Sequence, residues 1–417
     1  MGGTRDKSGV LFTIFVLSSH AMRILFLAPQ PFFQDRGTPI AVRLAVQVLA
    51  TRKEDSIDLL TYHEGTDISI PNVNHIRIKA PFFLNNIAPG ISVKKLFCDI
   101  IFLFTALKLV WKNRKNPYDL VHAVEESVFI AMLIKVFWKI PYIYDMDSSI
   151  AQQLTEKWRI FRPFLPLLSF LEGRAIKHSM AVVPVCDALA AIAYNQGSQD
   201  TQILRDISLL GLDNSQTTSQ QTLREELNIP PDSLVILYVG NLEPYQGCGL
   251  LIDAFAKIAH SFDKAHLVII GGSDEHISAG KTKISALNLS DRAHLAGRRA
   301  VNRLKSYLLQ ADILASPRLR GNNTPMKIYS YLHSGKAIIA TNLPTHTQVL
   351  NNTVSILTDP TPDSYAQGLK KLISDPDLRH KIGNAAHELA EERYTFEIFQ
   401  RDLNSLYDRI DSKILTT

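Results

Sequence analysis

Short unbroken apolar runs alternate with helical patterns along this chain, and the alternation occurs twice. In the first half Arg23–Ala28, Ile57–Thr61, Val73–Lys79, Leu120–His122, Tyr142–Asp145 and Met180–Pro184 read as strands, with helices at about Pro39–Thr51 and Val93–Lys112. In the second half Leu234–Val239, His266–Gly271, Ile313–Pro317 and Ala337–Thr341 read as strands, with a helix at Gly249–Ser261. A continuous apolar run marks a strand buried on both faces, as in a parallel sheet covered by helices. The expected fold class is therefore α/β, with two doubly wound, Rossmann-like domains. The polar stretch Gly211–Gln221 has no apolar period and reads as the linker between them. At 417 residues the chain is long for a single core, which agrees with domains at 22–210 and 222–394. Ligands of such folds meet the carboxyl ends of the strands, so the site is expected in the cleft between the halves.

Composition closes several other classes. Cys98, Cys186 and Cys248 lie far apart without a CxxC pair, which argues against a disulfide scaffold or zinc ribbon and for a reducing compartment. A formal net charge of +5 suits an anionic ligand or membrane surface but is too small to argue for nucleic acid. No uninterrupted apolar run reaches the ~18–20 residues that span a bilayer. Val10–Leu17, preceded by Arg5 and Lys7, has the outline of a signal peptide. Met22 opens the first strand and is the preferred natural start, with a membrane-touching tail or a true signal as the alternatives.

Two strand-to-helix loops could carry chemistry. In the first, Gly37 and Thr38 precede Pro39, and free backbone N–H groups at such a helix start can hold an anion, although a plain turn has the same outline. There is no GxGxxG and no GxxxxGK[ST]. The second loop, Ser316 to Lys327, places Asn322, Asn323 and Thr324 before Pro325, where a helix is expected to begin. Arg318, Arg320 and Lys327 add positive charge nearby, a layout suited to a diphosphate.

With these residues in view, the chain resembles the GT-B glycosyltransferases of family 4, the retaining "glycosyl transferases group 1" set. Val239–Gly247 corresponds to the family's VGRLxxxKG turn, Asn322 through Ser334 to its Glu-x7-Glu block, and Val121-His-Ala to its DVVHAH strand end. The resemblance runs from Met22 to about Ile410. It implies a GT-B fold whose last helix, expected at 395–412, crosses back from the second domain to the first. It also implies hexosyl transfer from a nucleoside-diphosphate sugar to a glycan or lipid-linked hydroxyl, with no metal or other cofactor. The expected location is the cytoplasm, with a peripheral place at the cytoplasmic face of the inner membrane as the variant that the basic, aromatic stretches described below allow. A degenerate nucleotide-sugar-binding scaffold and a GT-B sugar-nucleotide epimerase are the alternatives.

The departures matter as much as the matches. The family's two glutamates fall on Asn322 and Ser330, and its basic pair on Asn241 and Gln246, so four positions usually charged are neutral. Amides and hydroxyls still hydrogen-bond phosphate and sugar oxygens, but they supply no charge to a leaving diphosphate. Arg318, Arg320, Lys327 and Arg298 are the candidate replacements. The resemblance thus implies His122, Asn322 and Arg318 as catalytic candidates. Gly37, Thr38, Asn241, Gln246, Arg298, Asn323, Thr324, Lys327 and Ser330 are the donor-binding candidates. Glu125, Asp145 and Asp147 are the acceptor-binding candidates at strand ends of the first half. His122 could equally be a hydrogen-bonded structural histidine, and Glu125-Glu126 a solvated turn. Asp145-Met-Asp147 has the DxD spacing of a Mn or Mg site, but it lies in the acceptor half, and no metal is expected there. Finally, Val93–Lys115 and Lys157–Lys177 mix aromatic and basic residues, as membrane-surface segments do; core helices with solvated basic edges are the alternative.

Overall fold

The computed structural model describes residues 21–416, apart from 33–36, 68, 86, 88–91, 158 and 211–221. The linker stretch Gly211–Gln221 and the Val10–Leu17 run lie outside the described residues.

In the first domain the strands are β1 (Arg23–Ala28), β2 (Ser56–Thr61), β3 (Val73–Arg77), β4 (Leu120–Val124), β5 (Tyr142–Met146) and β6 (Ala181–Pro184). In the second they are β7 (Leu234–Val239), β8 (Ala265–Ile270), β9 (Ala293–Gly297), β10 (Ile313–Ser316), β11 (Ala337–Thr341) and β12 (Ile356–Thr358). The orders are β3-β2-β1-β4-β5-β6 and β12-β11-β10-β7-β8-β9, so both sheets share one topology. Every described pairing is parallel. β1, β4 and β8 are buried almost without exception because helices cover both faces of each sheet. This is the GT-B architecture.

The first domain's helices are α1 (Gly37–Ala50), α2 (Val93–Lys112), α3 (Ser127–Trp138), α4 (Ile150–Lys157), α5 (Leu165–His178) and α6 (Asp187–Asn195). A 3-10 stretch, Arg159–Phe164, separates α4 from α5, with Pro163 inside it and Pro166 in the first turn of α5. The second domain carries α7 (Leu223–Glu226), α8 (Cys248–Ala259), α9 (Asp274–Ala286), α10 (Leu304–Leu309), α11 (Lys327–His333), α12 (Pro344–Thr347), α13 (Pro362–Ser374) and α14 (Pro376–Arg393).

The last helix, α15 (Phe396–Leu415), starts behind Thr395, whose hydroxyl accepts from the Ile398 N–H. Its Phe399, Leu403, Leu406, Tyr407 and Ile410 are buried in one cluster with Ile24, Phe26, Val42 and Leu49 of the first domain. Arg52 pairs with Asp408, and Gln202 donates to the Asp402 carbonyl, so polar contacts fix the same docking. The crossing is marked by the Ser208 N–H reaching the Tyr394 carbonyl at 3.4 Å.

α2 is half core and half surface. Cys98, Phe102, Ala106 and Val110 face inward, while Leu96, Phe97, Phe104 and Trp111 are exposed. Val136 and Phe137 on α3, with Leu167 and Phe170 on α5, are exposed too. The two carboxylates of these three helices both turn inward. Asp99 accepts from Tyr62, and Glu172 accepts from Ser149 and from the Ile150 N–H. Lys94, Lys108, Lys112, Arg174 and Lys177 are left exposed among the apolar side chains. Among the described residues no helix is long and apolar enough to cross a membrane.

Candidate active site

The order of the second sheet reverses between β7 and β10, and the loops leaving those two strands define a crevice. From β7 comes the turn Gly240–Gly247, and from β10 the loop Pro317–Met326. They touch. A Cβ on Gly247, at φ +75, would stand 1.9 Å from the Pro317 carbonyl oxygen, so only glycine allows the approach. The Leu319 N–H in turn donates to the Tyr245 carbonyl at 2.8 Å.

Arg318 is buried against this seam. Its Nη1 donates to the Asn323 carbonyl and to the Thr345 hydroxyl, both at 2.9 Å, and its guanidinium lies 5.1 Å from the Tyr245 ring centre. Behind it, Thr341 donates to the Arg318 carbonyl, and His346 bridges Ser316 and Thr341. Burial drives the His346 pKa down to about 3, which keeps that ring neutral beside the cations. Lys327 opens α11 with its Nζ 3.7 Å from the Tyr238 ring centre and close beside Gly240. Burial, with Arg318 adding repulsion, lowers its pKa to about 7 although the Cys248 thiol pulls the other way. Among the described residues no carboxylate pairs with it. α11 has only two turns and begins two residues after Pro325, so the positive charge here belongs to Arg318 and Lys327 rather than to a helix dipole.

Three buried polar atoms in the same crevice have no hydrogen-bond partner: Gln246 Oε1, Arg318 Nε and Thr324 Oγ1. Native proteins seldom leave such atoms unmet; Arg318 Nε and Thr324 Oγ1 can donate and Gln246 Oε1 can accept, so the crevice suits a ligand that carries both anionic oxygens and hydroxyls.

The other donor candidates divide. Asn323 contributes its carbonyl to Arg318 and to Thr345. Asn241 is exposed, with its amide oxygen closing a turn at the Glu243 N–H, 3.3 Å away. Ser330 is buried, and its hydroxyl accepts from the Leu209 N–H at 3.1 Å, so it holds the segment that leads to the second domain. Arg298 follows β9, and its Nε donates at 2.9 Å to the carbonyl of Gly272, a residue that packs against Leu242 of the β7 turn. Asn322 turns to the opposite domain, where its Nδ2 donates to Gln152 Oε1 at 2.7 Å and its carbonyl accepts from Gln348.

Facing this crevice, the first domain presents carboxyls. Glu125 and Asp147 are both pushed up, by burial first and then by neighbouring carboxylates. Asp206, which no sequence pattern marked, is raised to about 7 by burial and by Asp145. Glu125 stands at φ +49 in the turn between β4 and α3, half-buried, and accepts from the Ser148 hydroxyl at 3.4 Å. Thr38 donates to Asp147, which brings the start of α1 to the group; Gly37 beside it has open space around it.

His122 is corrected by its surroundings. It is buried and stacked on Phe26, with Nδ1 2.8 Å from the Tyr407 hydroxyl and Nε2 3.1 Å from Asp145 Oδ2. Both nitrogens are in use, so the ring orients Asp145 and has no free nitrogen for a substrate. Tyr407 comes from α15, so the crossing helix reaches the acid group through one histidine. Among the described residues, Asp145 and Asp147 do not belong to any group of three metal-type ligand atoms.

The described geometry is a GT-B cleft with a cationic crevice opposite buried acids. Residues 219–389 match the family described as Glycosyl transferases group 1. The match spans most of the second domain. The group 1 region contains every residue of the crevice, from Tyr238 to His346. Over the longer chain, D-inositol 3-phosphate glycosyltransferase of Corynebacterium glutamicum is 23% identical, covering 90% of this chain and 93% of its own. Sucrose-phosphate synthase of Thermosynechococcus elongatus superposes with a TM-score of 0.75 at 20% identity, covering 94% of this chain and 100% of its own. HepE of Anabaena, solved in complex with UDP, gives 0.71 at 17% identity, covering 93% of this chain and 100% of its own.

Proposed function

We propose that this protein transfers a hexosyl unit from a nucleoside-diphosphate sugar to a hydroxyl of a glycan or lipid-linked acceptor, with retention at the anomeric carbon. The observation that carries the reading is the trio of unpartnered buried atoms on Gln246, Arg318 and Thr324, in the two touching loops beside Lys327. The donor diphosphate would accept from Arg318 Nε and the Thr324 hydroxyl and pair with the lysine, while Gln246 Oε1 would accept from a sugar hydroxyl. Arg318 and Lys327 would then stabilise the charge that develops as the bond from C1 to the diphosphate oxygen breaks. The acceptor oxygen forms the new bond to C1, and its proton passes to the departing diphosphate. Glu125, Asp147 and Asp206, all with raised pKa values, would meet the acceptor hydroxyls as donors or acceptors, and His122 would hold Asp145 in place.

The missing family charges favour relocation over loss. Lys327 stands beside Gly240 and Cys248, in the turn where the family carries its basic pair. A thermal-shift screen with UDP-, GDP- and ADP-sugars should find one that raises the melting temperature, since binding to the folded state alone stabilises it. Lys327→Met should abolish that shift. Product formation with acceptor extracts distinguishes transfer from binding alone or epimerisation, and a protein that binds no nucleotide sugar would end the reading. Turnover is expected not to depend on added magnesium or manganese, because the reading routes no step through such an ion.

The surface of α2, α3 and α5 is proposed as the face that meets an anionic bilayer. Its exposed Phe97, Phe104, Phe137 and Phe170 are surrounded by lysines, and its carboxylates are turned inward. A lipid-linked acceptor would then reach Glu125 from the membrane side, and the enzyme would work at the cytoplasmic face.

A further inference from the structure

We propose that His333, His387 and Glu391 bind a divalent late transition metal ion, zinc by ligand preference, and that the ion clamps α11 to α14. Two imidazoles and one carboxylate form a zinc-type donor set. His387 and Glu391 are one turn apart on α14 and share a face, while His333 ends α11 opposite them. One ligand atom from each lies within 4.8 Å of the other two.

The tautomer is already arranged. His387 Nδ1 donates to the His333 carbonyl at 2.8 Å, which leaves Nε2 as a lone-pair donor. A backbone carbonyl in this role is the usual outer partner of a metal-bound histidine. His333 Nε2 and Glu391 Oε1 are 2.6 Å apart. Zinc–ligand distances of ~2.0–2.2 Å in a tetrahedron need about 3.3 Å between ligands. The half-exposed Glu391 side chain can supply that by a small rotation.

The backbone explains why the three meet. A Cβ on Gly383 would fall 2.1 Å from the Gly335 carbonyl oxygen, so glycine there lets α14 press against the turn that ends α11. His387 follows one helical turn later, directly beneath His333. Lys327 and Ser330 belong to the same short α11, roughly 9 Å long, so an ion at its far end would fix the helix that presents the donor lysine.

The test uses untagged full-length protein stripped of metal and titrated with cobalt(II) chloride, zinc chloride and, as a control, magnesium chloride. The expected result is one equivalent of cobalt giving visible absorption, displaced by zinc, with a melting temperature that climbs with zinc concentration and is indifferent to magnesium. His387→Gln and Glu391→Gln should each weaken binding at least tenfold while melting like the parent in EDTA, as exposed side chains should. The proposal is overturned if the parent binds cobalt no more tightly than magnesium. Variants that bind zinc as tightly as the parent would overturn it too, because the metal would then be elsewhere, for example on a cysteine.

Discussion

Burial of the Lys327 ammonium in the crevice, with Arg318 nearby, lowers its pKa to about 7, so its charge responds to pH in the neutral range. A bound diphosphate favours the charged form, so binding above pH 7 must take up a proton. Affinity for UDP-glucose, whose diphosphate does not itself titrate there, should fall by up to about tenfold per pH unit above 7. Calorimetry in buffers of different ionisation enthalpy would show the proton uptake, and Lys327→Met would remove it. Asp206 gives the opposite kind of linkage. Its folded pKa of about 7 lies above the ordinary 3.8, so between those values the folded protein holds a proton that the unfolded chain has lost. Stability from this group is therefore present below pH 4 and lost as pH rises to 7, at roughly 1.4 kcal/mol per pH unit. Urea denaturation of Asp206→Asn should show a gain over the parent that grows across that window. Arg318 and Lys327 were legible in the sequence because their charge stands next to a strand-to-helix loop. Asp206 was not, since it lies in an irregular segment and becomes acidic-site chemistry only when folding buries it beside Asp145.

Strands and helices were legible where their interiors are apolar. β1, β7 and β11 begin and end where the runs do, because each is covered on both faces. β9 and β12 were missed. Both are edge strands, flanked on one side only, and Ala293–Gly297 and Ile356–Thr358 carry too little apolar sequence to stand out. α2 was ambiguous for a related reason, since an apolar face reads the same whether protein or lipid will cover it. Its outward residues lead to a measurable result. Phe104→Glu and Phe137→Glu, both at exposed positions, should cut co-sedimentation with phosphatidylglycerol vesicles while leaving the melting temperature within a degree or two. Raised salt should weaken the parent's binding as the lysines are screened. Undiminished vesicle binding by the double variant would remove this face from consideration.

The two domains are joined twice, by the segment that follows Ser208 and again at Tyr394–Phe396. The duplicated pattern in the sequence announced two sheets, but which residues touch across the cleft depended on side chains that no pattern marks, such as Gln152 against Asn322 and Gln348 against Ala188. The destination of α15 came from resemblance rather than from periodicity, because an amphipathic helix does not say which domain it covers. A chain ending at Tyr394 should leave Phe26, Val42 and Leu49 with exposed apolar surface and should aggregate on expression, while the 222–394 region stays folded to limited proteolysis. The same docking sets an order of events at the ribosome. The first domain cannot close its own core until α15 emerges, and some 180 residues of the second domain are made in between. At roughly 5–20 residues per second, that is a wait of about 10–40 s, during which the α1 face needs a temporary cover. Slowing elongation within the second domain should therefore harm the yield of the first domain, which by then has been fully translated.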